Sequence, residues 1–594
     1  MRSSRLSLVG LLIAIIVTLG FFLLFFNRFA GVRSGLGGFG LAHGFVHGAL
    51  PYRDYFLASS PLYVLTCGAV VSIFGDAIIV TRSFGVFERL VIALLLYAWL
   101  RRLFSVRHAM VATVVTMIAS AGDFTDPIAS YNHESLMWAI GSGFAASFVL
   151  DDESTTGRAL IAAMLSGFLA GLSFSTKQTM GLGATVFIPA VVTICLLRLS
   201  GIKKAAAFLL SFAIGWALCA GVLLLWLGYL GVIHEFFKDT FVKGPAAKAG
   251  NPFDFLRRDV LVGKLLWYDV ILGLIPLPLL WGAWRRSGRS GERGQPDTLR
   301  TILGLGLMCI LTVGLGAILS YAGIPPAKSL AKPSIYLVLF ASFALIFPYS
   351  WMWLRGTLSH REAQFFLFAT VSFVMAFMVS LSYPVFEAML LPGLGFLIAA
   401  ALDSLSERGA ALIYLTSGVL LFTQTTLKLE RPFGFEDWNE APVRTATDQS
   451  TLPELRGLRL PPGMVQFIDG TAAIINDHAG PKDTIFTYPE MGIIYAVTER
   501  GAPTQSGSHN IDVVNDAFAS EEAKRLLDRP PAVLIYGRED EATLHTRELV
   551  WRNGHRAGQR DIIDAVEKLA SEYELVRTFK LPGDGRLVNV YVRR

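Results

Sequence analysis

Along the first 423 residues, long apolar runs alternate with short polar connections, and most runs approach the ~20 residues that cross a ~30 Å hydrocarbon core. The first follows Arg2 and Arg5 and ends in bulky Phe25 and Phe26. It exceeds the roughly 7 to 15 apolar residues of a signal peptide and lacks a small-residue cleavage site, so it is read as a retained span starting in the cytoplasm. Further runs lie near 83–100, 108–121, 135–150, 158–175, 180–197, 205–228, 268–284, 301–320, 334–350, 363–380, 386–402 and 409–423. Together they predict a polytopic α-helical membrane protein of about 13 spans, an odd number that puts the two termini on opposite sides. The stretch 59–75 is apolar but short. Were it a span, Arg101, Arg102, Arg198, Lys203, Lys204, Arg285, Arg286, Arg289, Arg293 and Arg300 would all face outward, against the positive-inside rule. It is therefore expected to lie on the outer membrane surface.

From residue 424 the pattern changes. "DTIFTYP" and "PAVLIYG" predict buried strands, "RDIIDAVEKLASEY" a helix, and "ELVRTFKL" with "RLVNVYVRR" a hairpin turned at "PGDG". The expected organisation is a membrane domain over 1–423 and an extracytoplasmic, soluble α/β domain over 424–594.

Composition sharpens this. The 594 residues are 53% hydrophobic and 16% charged, with a mean hydropathy of +0.52, outside the balance of a soluble protein. Much of the Lys and Arg behind the net charge of +6 sits in short inter-span connections, so the basic balance sets topology and no nucleic-acid partner is implied. Cys67, Cys195, Cys219 and Cys309 lie in or beside apolar runs, implying neither a disulfide frame nor a thiolate metal site. "GLGGFG" at 35–40 satisfies G-x-G-x-x-G but follows a span instead of a strand, which excludes a dinucleotide site.

The candidate chemistry gathers in the connections predicted to face outward. Arg53 and Asp54 in "GALPYRDYFLASSPLY" pair a cation with a carboxylate near the membrane surface, where Asp54 can act as a general base or simply cap a turn. Asp123, Asp126, His133 and Glu134 share a connection with no basic residue; they can hold a divalent cation or place a base, or merely end one helix and begin the next. Lys177 in "GLSFSTKQTMGLG" stands where two apolar runs meet, suited to a phosphate or to snorkelling. Lys328 and Lys332 add two cations to the same side. Glu88 and Arg89, inside a span, read as a buried structural pair, and Glu387 as a cavity partner or a helix-start charge.

The succession "HGALPYRDYFLASSPLY", Arg82, the aspartate connection, "GLSFSTKQTMGL" and "SYPVFEAMLLPGLGFLIAA" resembles the GT-C superfamily of membrane glycosyltransferases, near the protein O-mannosyltransferases, the lipid A aminoarabinose transferase and the lipopolysaccharide-core galacturonosyltransferases. The resemblance covers nearly the whole chain through short, degenerate motifs. It implies transfer of a sugar from a polyprenyl-phosphate donor to a protein, lipid or glycan acceptor outside a bacterial cytoplasmic membrane. It casts Asp54 and Asp126 as candidate catalytic carboxylates and Lys177 as a phosphate ligand, with Arg53, Asp123, His133, Lys328 and Lys332 as candidate substrate contacts. A divalent metal cofactor is left open. The chain departs from the pattern at Ser34 and Gly35, where many relatives carry an Asp-Glu pair. A transporter would instead show repeats with broken helices, which the sequence lacks; a non-catalytic assembly protein would fit the missing acidic pair.

Overall fold

The computed structural model describes residues 2–32, 38–121, 127–152, 156–247, 299–324, 346–379, 391–435 and 438–594. The membrane part comprises α1 (Arg2–Leu23), the short α2 (Phe39–Val46) and α3 (Leu62–Phe74), then α4 (Ile78–Leu103), α5 (Val106–Ser120), α6 (Tyr131–Ser147), α7 (Thr156–Thr176), α8 (Gln178–Leu199) and α9 (Ile202–Tyr229). A connection follows through α10 (Ile233–Lys238), a π turn (Asp239–Lys243) and α11 (Gly244–Ala247). The described bundle continues with α12 (Leu299–Tyr321), α13 (His360–Met378), α14 (Leu391–Ser404) and α15 (Glu407–Glu430).

Among the described residues seven helices are long and apolar enough to cross a membrane: α1, α7, α8, α9, α12, α13 and α15. The run predicted at 268–284 lies outside the described residues, and those at 334–350 and 386–402 lie partly outside. At ~1.5 Å per residue the 13-residue α3 reaches only about 20 Å, short of a crossing, and with α5 and α14 it belongs to the shorter apolar helices. Every residue of α5 except Arg107 is buried, which is why its apolar residues show no preferred face. In contrast, among the described residues α9 exposes Leu210, Ile214, Leu218, Val222 and Leu225, and α12 exposes Leu303, Leu307, Leu311 and Ile318, apolar rows suited to a hydrocarbon environment. α7 and α9 meet backbone to backbone: a Cβ on Gly167 would collide with Phe212, and one on Gly215 with Met164.

Contacts define two ends of the bundle. At one, Tyr97 bonds Ser7, Arg102 and Gln364 share Asp151, and Arg361 reaches Leu103. The other gathers the C-terminal ends of α1, α7, α12, α13 and α15, and the C-terminal unit sits there. Glu88 and Arg89 of α4 are fully buried and paired at 3.1 Å, with Arg89 also donating to Gly85 and Ile128 carbonyls.

The composition change at 424 falls inside α15, whose last turns bury Gln424, Thr425, Thr426 and Lys428 at the junction before the helix ends at Glu430. Beyond a two-stranded ribbon, β1 (Gly434–Phe435) and β2 (Trp438–Asn439), the chain forms α16 (Pro462–His478), β3 (Ile485–Tyr488), α17 (Gly492–Thr498), α18 (Asp516–Asp528), β4 (Val533–Tyr536), α19 (Glu541–Arg552), α20 (Gln559–Glu572), β5 (Glu574–Lys580) and β6 (Leu587–Val592). The sheet order is β3-β4-β6-β5. β3 and β4 are parallel, with Ile485 opposite Val533, and buried throughout, so they read as continuous apolar runs. β5 and β6 form the antiparallel hairpin. α16 and α17 cover one face, α18 and α20 the other. The first of these layers also buries Ala30, Val32, Phe39 and Ile78, so the unit's core runs without a break onto the membrane part.

Candidate membrane-surface site

A single residue separates α7 from α8. Lys177 is extended (φ −146°, ψ 111°), yet its N–H still donates to Ser173 and its carbonyl still accepts from Gly181, so the corner turns without orphaning backbone groups. Glycine at 181 is required, because a Cβ there would strike the backbone of Phe174. The Lys177 side chain is buried. Its ammonium donates to Asn132 Oδ1 and to the Val379 carbonyl, each at 2.5 Å, and lies 4.9 Å from the centre of the Tyr131 ring. Beside it, Gln178 donates to the carbonyls of Ala58 (2.9 Å) and Thr240 (3.3 Å).

Ala58 belongs to the connection that carries Arg53 and Asp54. Tyr52, buried at φ 69°, pins this connection through its hydroxyl to Ser59 (2.6 Å) and its ring edge to Phe236. Arg53 and Asp54 themselves face solvent as a two-pronged pair at 2.8 to 3.2 Å, with the Leu50 N–H as a further donor to Asp54. The hydrogen-bonded Arg53 guanidinium holds the Asp54 carboxyl below its ordinary range, making it a weak proton acceptor in this arrangement. A few residues on, Phe56 donates its N–H to Gln505 and packs on Phe518 of the C-terminal unit. Lys243 lies over the same Phe518 ring and pairs with Asp239 at 2.8 Å; burial pushes Asp239 up while Lys243 pulls it back.

The second connection reaches the same place. Asp123 and Asp126 lie outside the described residues, as do Lys328, Lys332, Glu387, Ser34 and Gly35. Ser130 caps α6 and bonds the His133 ring at 2.9 Å, while buried Glu134 accepts from Thr66 (2.9 Å) and Trp138 (3.4 Å). Both residues thus help start α6 and tie it to α3. Tyr63 accepts from the Gly38 N–H and donates to the Ala129 carbonyl (2.8 Å), bridging the first connection to the second. The connections bearing Asp54, the two aspartates and Lys177 are therefore hydrogen-bonded to one another at one end of the bundle.

Sequence reasoning missed the partners. Asn132 and Asp239 carried no spacing signal, and Glu440 is far from what it holds. Arg82 donates to the carbonyls of Phe26 (3.1 Å), Phe29 (2.6 Å) and Ala30 (2.6 Å) and stacks on the Phe29 ring. Glu440 accepts the N–H groups of Ala30 (2.7 Å) and Gly31 from the other side. The backbone leading to Ser34 and Gly35 is thereby clamped by an arginine from α4 and a glutamate from beyond α15. Within the C-terminal unit, buried His509 and Asn510 of "GSHN" line a cleft near the carboxyl end of β3 together with Glu490, Glu539 and Arg547.

The sequence matches no protein-family description and no curated protein. Solved structures are similar in shape. The oligosaccharyltransferase AglB from Archaeoglobus fulgidus, in complex with an inhibitory peptide and a dolichol-phosphate, aligns over 98% of this chain and 74% of its own, at 13% identity and a TM-score of 0.51. ArnT from Cupriavidus metallidurans, bound to undecaprenyl phosphate, aligns over 98% of this chain and 97% of its own, at 12% identity and a TM-score of 0.44. A second structure of the A. fulgidus oligosaccharyltransferase, in complex with Zn and sulfate, aligns over 95% and 71%, at 14% identity and a TM-score of 0.48. Identities this low speak to architecture alone, and on the AglB comparison this chain shares the fold of that oligosaccharyltransferase.

Proposed function

We propose that this protein is a GT-C membrane glycosyltransferase that moves a sugar from a polyprenyl-phosphate donor to an acceptor hydroxyl at the extracytoplasmic face of a bacterial cytoplasmic membrane. About 13 spans place the N-terminus in the cytoplasm and the 424–594 unit outside. In the reaction the acceptor oxygen bonds to the anomeric carbon, the bond from that carbon to the phosphate oxygen breaks, a carboxylate takes the hydroxyl proton, and polyprenyl phosphate leaves. Lys177 stabilises the departing phosphate. Asp126 takes the role of base in preference to Asp54, because a carboxylate held ionised by Arg53 binds a proton poorly. Arg53, Asp123, His133, Lys328 and Lys332 contribute to substrate binding, and a divalent metal is compatible with the carboxylates. AglB, the neighbour in fold, is bound to a dolichol-phosphate, which supports a lipid phosphate as the donor's carrier.

The observation that carries this reading is Lys177: a buried ammonium at the sharp break between two membrane helices, aimed by Asn132 and Val379 at the end of the bundle where the C-terminal unit docks. The test is turnover of polyprenyl-phosphate sugars by the full chain purified in detergent. Lys177→Met is expected to lower the rate by about 10² or more, the scale of losing one charge-stabilising donor, while an unchanged melting curve excludes misfolding. A Lys177→Met rate equal to that of the wild type would remove the lysine from the mechanism. Absence of turnover in the wild type across a panel of lipid-linked sugars would favour the non-catalytic assembly protein.

A further inference from the structure

A cluster of side chains outside that site has the composition of a metal centre. His43 on α2 and His47 at that helix's C-cap sit one turn apart, their rings 4.3 Å from centre to centre, and both address Asp76, which lies in the short turn between α3 and α4. His43 Nδ1 is 2.8 Å and His47 Nε2 3.0 Å from the same oxygen, Asp76 Oδ2. One ligand atom from each of the three lies within 4.8 Å of the others. His43 is buried and His47 about half exposed, so the cluster is anchored on one side and open to solvent on the other. The second oxygen, Asp76 Oδ1, is buried with no hydrogen-bond partner among the described residues, an uncommon state for a carboxylate. The facing C-terminal unit brings the Arg456 guanidinium against Gly75.

We propose that His43, His47 and Asp76 bind one divalent cation of the zinc class, stapling α2 to the α3–α4 turn. Two imidazoles and one carboxylate suit zinc better than the all-oxygen shells that magnesium and calcium prefer. Metal–ligand bonds of about 2.0–2.1 Å place tetrahedral donors about 3.4 Å apart, so the two histidine to aspartate distances need open by only about half an ångström. The site leaves its remaining coordination position to water on the exposed side of His47. It fixes the helix that joins the segment at Ser34 and Gly35 to the Arg53 and Asp54 connection, and α2 in turn packs on the C-terminal unit, with Gly40 against the backbone of Gly492. This assignment is independent of the glycosyltransferase reading and is tested without any activity measurement.

The test is zinc binding by the full chain in detergent, stripped with a chelator and then titrated with Zn²⁺, followed by elemental analysis and thermal melting. The expected result is one zinc per chain and a zinc-dependent rise in melting temperature. Both are expected to be lost in His47→Ala, with affinity falling at least 10-fold, and retained in His555→Ala, which removes an exposed histidine elsewhere. Because His47 is half exposed, metal-free His47→Ala should melt as the metal-free wild type does, separating lost binding from misfolding. Co²⁺ substitution should give visible d–d bands that Asp76→Asn alters. Sub-stoichiometric binding, or equal binding by wild type and His47→Ala, would overturn the proposal.

Discussion

Two sets of arginine and carboxylate groups act on the first polar connection, and they are alike only in composition. Arg53 and Asp54 are sequence neighbours, exposed, and bonded chiefly to each other. Arg82 and Glu440 come from distant parts of the chain, are almost wholly buried, and direct their hydrogen bonds to the backbone of residues 26–31. The contrast teaches that a charge pair's visibility in sequence and its energetic weight are unrelated. Water and salt screen the exposed pair, so little stability depends on it. Desolvated groups that alone satisfy buried carbonyls and amides leave those partners stranded when removed.

Arg82→Leu should separate the two pairs most clearly. Stranding the carbonyls of Phe26, Phe29 and Ala30 and leaving Glu440 without its nearest cation should cost about 3–5 kcal/mol, read as a lower melting temperature and as protease sensitivity near residue 30. Glu440→Gln keeps one acceptor but turns an amide group toward a donor at Ala30 or Gly31; a loss of about 1–3 kcal/mol is expected, and a neutral outcome would show that the clamp is held by Arg82 alone.

Asp54→Asn should have the smallest effect. At neutral pH the full chain should melt nearly as the wild type does. Since Arg53 lowers the Asp54 pKa in the folded state, its contribution is complete above the unfolded value of about 3.9 and disappears as pH falls through the lower, folded value. Melting curves of wild type and variant should therefore diverge slightly near neutrality and converge under strong acid. A large difference at pH 7 would mean that the exposed pair carries more than its surroundings indicate.

Lys177 and the pair at Asp54 also show how far the candidate site could be read in advance. A lysine between two apolar runs announces itself, because a cation at a membrane edge is costly and must be accommodated. That Asn132 and the Val379 carbonyl receive it could not be anticipated, since neither has a pattern of its own. The motif around Arg53 and Asp54 identified the right connection, and Ala58 within it does bond Gln178 next to the lysine. Its conspicuous charges, however, point to solvent, whereas unremarkable Tyr52 and Tyr63 fix the connection in place.

Residue order alone dictates the apolar helices of the membrane part, a short helix at 62–74, the buried strands near 485 and 533 and the closing hairpin. Apolar run length and local periodicity dictate these wherever backbone groups must be satisfied within a span or along a strand. That α15 continues to Glu430, that Glu440 grips the backbone at 30 and 31, and that His43, His47 and Asp76 converge follows from packing between separate elements. Such contacts depend on how separate elements pack, and the free energy of desolvating a charge is fixed by its neighbours in space, which the order of residues along the chain does not reveal.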